Sequence, residues 1–213
     1  MCIKKHLKIY YYNTKAIRVF VLVALLFIIA LTVIMYLKGK NTLNENELYY
    51  DISKVTELYF PVLNFLPLMA LIRIFTNEGC EILYVSERNK MTFFLFYFLL
   101  EVGILLVPFI ILAIIFGKDI WRIFLANLLI HGFYVSIAYC TAYISKQADI
   151  TMGVSVVLLV GSIMMEYMAG KGSPLVFRWG QGGDTLVLKF AAILLLTLIF
   201  FCIGRVANNR KGD

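Results

Sequence analysis

Charge is what this sequence has least of. Asp, Glu, Lys and Arg make up 15% of its 213 residues and apolar residues 62%, against about 25% and about 45–50% in typical soluble chains. The excess has to face something other than water, so a soluble globular domain is excluded, and the same numbers exclude disorder. Histidine occurs twice, at His6 and His131. No His-Glu-x-x-His motif or other metal-ligand spacing surrounds either one. A nucleophile motif is missing around Gly161-Ser162. Gly170-Lys171-Gly172-Ser173 lacks the spacing of a phosphate-binding loop, so the chain is not expected to hydrolyse ATP by itself. Four cysteines, Cys2, Cys80, Cys140 and Cys202, offer no disulfide framework. Basic-aromatic clusters that would argue for nucleic acid are absent, as is the long alternation of a β-barrel.

What is present is a series of long uncharged runs. They cover Val19–Leu37, Leu58–Ile72, Val102–Gly117, Ile123–Ser145, Ile150–Met165 and Phe190–Gly204. A bilayer core of about 30 Å needs about 20 apolar residues per helix, so the shorter runs need their flanks, with Arg73 and Lys189 snorkelling from span ends. The expectation is an all-α polytopic membrane protein with one six-helix membrane domain over residues 1–213. Its six spans fall at about 17–37, 55–75, 91–117, 122–145, 149–168 and 186–206. Residues 1–16 are either a basic interfacial helix or a tail that only sets topology. The first apolar run is too long for a secretory signal core of about 7–15 residues and reads as a retained anchor. Loops 38–57 and 169–185 are too small to fold alone.

Orientation follows from the basic residues. With the N-terminus inside, twelve Lys and Arg lie inside and eight outside, and every cysteine falls on or near the inner face. Both termini are therefore expected in the cytosol and the chain in the plasma membrane. The net charge of +7 is then a matter of topology.

Polar residues inside the runs are candidates for a translocation path or gate. Glu101 sits in the third span, where a charge costs about 2.5–3.5 kcal/mol on insertion scales. It must face protein or water, as a substrate or gating group or as a structural hydrogen-bonding partner. Asn64 lies between Pro61 and Pro67, a position that suits a packed kink better than a ligand. His131, in the fourth span, reads more readily as a hydrogen-bonded core residue than as a ligand.

The segment after the second span, Asn77-Glu78-Gly79-Cys80-Glu81-Ile82-Leu83-Tyr84-Val85-Ser86-Glu87-Arg88-Asn89-Lys90, reads as a short helix over 76–90. Acids occupy its first turn and bases its end, as the helix dipole favours. An acidic-Gly-x-acidic-x-Leu segment at this place, followed by a base and the third span, resembles the permease subunits of ABC-2-type transporters. Glu78, Gly79, Glu81 and Leu83 match that family's acidic, glycine and acidic-leucine elements, and Arg88 its basic residue. Cys80 stands where threonine is usual, and the proline common before the base is missing. The small membrane subunits of haem exporters are similar in size and span count.

The resemblance implies that 76–90 is a coupling helix seated in a cytosolic ABC ATPase subunit. That partner binds the ATP and Mg, and this chain carries no cofactor and no catalytic or metal residues. It also implies a second permease chain, in a homo- or heterodimer within the lipid bilayer. The substrate expected is small and amphipathic or hydrophobic, such as an antimicrobial compound or peptide moved outward. The alternatives are an intramembrane enzyme using Glu101 and His131, which needs a further carboxylate or metal ligand nearby, and a non-catalytic membrane scaffold or immunity protein.

Overall fold

The computed structural model describes residues 3–39, 45–76, 90–117, 120–145, 147–167, 175, 177 and 183–209. The described chain forms α1 (Ile3–Gly39), α2 (Glu45–Thr76), α3 (Lys90–Phe116), α4 (Ile120–Ser145), α5 (Ala148–Tyr167) and α6 (Gly183–Asn209), with no strand among the described residues. Four stretches are long and apolar enough to cross a membrane: Thr14–Lys38, Phe94–Phe116, Ile120–Ser145 and Leu186–Ala207. A shorter apolar stretch covers Asp149–Met165.

Two elements run longer than the sequence suggests. α1 continues without a break from Ile3, so the basic segment before the first span is part of the same helix. At 1.5 Å per residue it is about 55 Å long, well over the hydrocarbon thickness of about 30 Å. Arg18, near the start of the apolar part, turns back along the helix. Its guanidinium donates to the Tyr11 carbonyl at 2.9 Å and lies 4.6 Å from the centre of the Tyr11 ring. α2 starts at Glu45, so most of what reads as a polar loop over 38–57 is helix. The reason is packing: Ile52 and Leu58 are buried, as are Ser53, Thr56 and Glu57 between them, and the two hydroxyls bond back to carbonyls of their own helix. α2 runs through Pro61 and Pro67 and α3 through Pro108.

α4 is the centre of the bundle. It touches α2, α3, α5 and α6, and Leu129–Cys140 is buried at every position, as a helix covered all round must be. α1 packs on α2 and α3. α3 ends at Gly117, whose φ of 95° and N–H to the Ala113 carbonyl at 3.0 Å make the left-handed cap from which the chain reverses into α4. At that end Tyr49 of α2 donates its hydroxyl proton to the Phe116 carbonyl at 2.8 Å, and Tyr36 of α1 stacks edge-on against the Phe116 ring.

Two apolar clusters fill the interior. One joins α1, α2, the second half of α3 and the start of α4 around Phe60, Phe109 and Phe124. The other joins the first half of α3, the rest of α4 and α6 around Phe94, Tyr97, Phe133 and Tyr139. α6 approaches α4 closely at Gly204, where an added Cβ would overlap the Tyr139 ring and lie 3.2 Å from the Cys140 Cα. Outside, the helices present large apolar side chains, among them Phe27 of α1, Leu99 and Ile114 of α3, and Val187, Leu188 and Leu195 of α6. Apolar surface on this scale has no place in water and suits hydrocarbon.

Candidate functional site

α3 and α4 are antiparallel neighbours joined by the short turn at Gly117, so residues at similar distances from that turn lie side by side. Glu101 is about 22 Å and His131 about 16 Å along its helix from the turn. Both therefore fall in the middle part of helices that run about 40 Å. The structure brings them together: His131 Nε2 and Glu101 Oε2 are 3.0 Å apart, and both side chains are completely buried. The distance is that of an ion pair, but Nε2 and Oε2 are not aligned as a hydrogen bond. Phe98, one turn before Glu101 on α3, lies flat against the imidazole, with ring centres 5.5 Å apart and planes 10° from parallel. Gly132 leaves room beside it, since a Cβ there would meet the Phe98 ring only at an ordinary 3.7 Å.

Further polar groups follow the same side of α4. Asn127, one turn before His131, is fully buried and donates its amide to the Ile123 carbonyl at 2.9 Å. Its Oδ1 accepts nothing, and His131 Nδ1 has no hydrogen-bond partner either. Buried polar atoms of this kind are uncommon and call for a partner such as water or a proton. Tyr134 lies one turn after His131 and is buried in the same core. Among the described residues no cluster of three or more His, Cys, Asp or Glu is placed to hold a metal.

Of the residues singled out in the sequence, Glu101 and His131 converge. Asn64 belongs to α2, but its side chain lies outside the described residues. So do the coupling-helix residues Glu78, Gly79, Glu81, Leu83 and Arg88, because 77–89 is not described.

A second buried carboxylate, Glu57, lies in the stretch 38–57 that reads as a polar loop. Its side chain is 1% exposed, and Oε2 accepts the Phe177 N–H at 2.7 Å. Phe177 and Leu175 are themselves buried, and Phe177 packs against Phe190 of α6. The bond thus ties the connection between α5 and α6 to α2. The signal available in the sequence is the helical spacing of Ile52, Val55 and Leu58 around Thr56-Glu57, which sets this stretch within a packed helix.

No protein-family model, curated protein or solved structure matches the chain.

Proposed function

We propose that this chain is the membrane-spanning permease subunit of an ATP-driven exporter of the ABC-2 type. In this reading all six helices cross the plasma membrane, both termini and residues 76–90 face the cytosol, and 38–57 and 169–185 lie toward the outside. A separate cytosolic ATPase supplies ATP and Mg binding, and two permease chains, alike or different, work as a pair. The substrate is small and amphipathic or hydrophobic, an antimicrobial compound or peptide being the preferred class, and it leaves the cell.

The observation that carries the reading is the Glu101–His131 pair sealed at mid-helix in a bundle whose outer surface is apolar. Ionisable groups at membrane depth are costly and mark pathways more often than scaffolds. The acidic-Gly-x-acidic-x-Leu segment between α2 and α3 adds the place where an ATPase would dock. ATP binding must then favour one orientation of the bundle by its own differential affinity.

Co-purification tests the class directly. A cytosolic ATPase with nucleotide-binding motifs should come down with the chain, and Glu78→Ala together with Glu81→Ala should leave insertion intact while abolishing substrate-stimulated ATP hydrolysis. Wild-type transport by that double variant at wild-type membrane levels refutes the coupling role. Capture of another membrane protein without an ATPase would favour the scaffold or immunity reading. For orientation, a cysteine introduced at Asn44 should react with an impermeant reagent in intact cells.

A further inference from the structure

We propose that the N-terminal half of α1 binds an anionic phospholipid, its headgroup phosphate at Lys15 and an acyl chain along Leu22 and Leu26, with Lys8 adding attraction from one step further out. The proposal rests on the orientation given above only for naming the leaflet, which with the N-terminus in the cytosol is the inner one. Its test uses this chain alone in a symmetric bilayer, without ATPase or substrate, so failure of either idea is seen separately.

The depth of α1 is marked at both ends of its apolar part. The uncharged run from Val19 to Leu37 holds 19 residues between Arg18 and Lys38. That is about 28 Å of helix, close to the hydrocarbon thickness of about 30 Å. The Arg18 guanidinium turns back from this run onto the Tyr11 carbonyl and ring, as a cation at the edge of hydrocarbon does. The helix nevertheless continues unbroken to Ile3, so residues 3–18 run on for about 24 Å past that edge. Lys15 lies about 6 Å beyond Val19 along the axis, within a headgroup layer about 5–8 Å deep on each side. Lys8 is about 10 Å further along, a distance of one Debye length.

The register then decides which side of the helix carries the charge. At about 100° per residue, Lys4, Lys8, Tyr11, Lys15, Leu22 and Leu26 fall in one stripe about 60° wide. Tyr11 and Lys15 are exposed, and so are Leu22 and Leu26. Thr14, Val21 and Leu25, buried against the bundle, centre about 90° round the helix from that stripe. The face that leaves its leucines to hydrocarbon is thus the face that continues into the basic stretch. Of the five basic residues before Val19, Lys4, Lys8 and Lys15 lie in the stripe, Arg18 stands at its edge and Lys5 falls beside it. Charges that only set topology need number and not register. A lipid that lays its chains on Leu22 and Leu26 brings its phosphate to Lys15, and Tyr11, exposed one turn away, is the amphipathic ring expected at headgroup level. A free phosphate ion would use the lysines alone and gain nothing from the leucines.

The test places a tryptophan beside the site and asks which lipid quenches it. In a Trp121→Phe and Trp179→Phe background, Leu22→Trp is reconstituted as the full chain into bilayers of phosphatidylcholine and phosphatidylglycerol in equal amounts, with the acyl chains of one or the other brominated. The quenching ratio should favour phosphatidylglycerol by about fivefold or more, the factor expected of one basic residue at a lipid surface. Lys8→Gln with Lys15→Gln should lower the ratio by at least about fivefold, whereas Lys8→Arg with Lys15→Arg should keep it. Leu26→Trp serves as reporter if Leu22→Trp does not fold. Lys15→Gln with Ala16→Lys preserves the net charge but moves the lysine about 100° round the helix, and should lower the ratio as Lys15→Gln alone does. Equal quenching by the two lipids overturns the proposal, as does a ratio unchanged in the double Gln variant or restored by Ala16→Lys. It is also overturned if Val157→Trp, on the exposed face of α5, reports the same preference, or if inorganic phosphate at constant ionic strength abolishes it.

Discussion

α4 and α6 have nearly the same length, yet of their apolar stretches, Ile120–Ser145 and Leu186–Ala207, the less hydropathic is the buried one. α4 carries Asn127, His131, Ser136 and a series of tyrosines and is covered on almost every side, whereas the more hydropathic stretch, in α6, leaves most of its apolar side chains outside. In water that arrangement would be inverted, because burial there follows hydropathy. In hydrocarbon, lipid tails solvate leucine as well as a protein core does, so what drives a helix inward is its polar and small residues and the close packing they permit. α4 is central because it has hydrogen-bonding groups that lipid cannot satisfy. α6 can stay at the edge because it has few of them, and it is held by a close approach at one glycine.

That contrast can be broken most severely at its polar centre. His131→Leu leaves the buried Glu101 carboxylate without its imidazole, and removing one partner of a buried pair costs about 3–5 kcal/mol. The variant should show the largest drop in midpoint in denaturant titration of the detergent-solubilised protein. Wild-type stability would mean that the pair contributes nothing to holding α3 on α4.

The attachment of α6 is the next place to strike. Gly204→Val drives a side chain into the buried Tyr139 ring and the α4 backbone, and overpacking of this kind costs about 1–3 kcal/mol. Thermal unfolding should shift accordingly, and a disulfide introduced between α4 and α6 should form more slowly. Gly132→Ala is the sharpening control, since its Cβ meets Phe98 at ordinary contact distance and should change stability by less than about 0.5 kcal/mol.

The smallest effect is expected on the outer face of α6. Leu195 is 60% exposed, and Leu195→Ala should alter stability by no more than about 0.5 kcal/mol. A loss above about 2 kcal/mol, measured in the same titration, would show that this face is covered by protein and not by lipid.

Much of this architecture can be read from the chain before any coordinates. Spacing between charges marks the long apolar helices, and depth in an apolar run singles out Glu101 and His131 as groups that need an explanation. Their pairing cannot be read the same way. α4 carries apolar side chains on every face and is buried all round, so its apolar pattern gives no rotation angle, and which of its faces meets α3 is decided by packing with four neighbours at once. Glu57 fails for the opposite reason. A carboxylate beside Lys54 and Asp51 looks like loop composition, and the partner that meets it, the amide of Phe177, is far away in the sequence.

That amide lies 120 residues further along the chain. At about 5–20 residues per second of synthesis, roughly 6–24 s separate the emergence of the carboxylate from that of its donor. During that interval the Glu57 carboxylate is without the Phe177 amide. The bond between Glu57 and Phe177 therefore belongs to the late part of biogenesis, after α5 has been made. A chain released before residue 177 should hold α2 loosely and be a preferred substrate for membrane quality control.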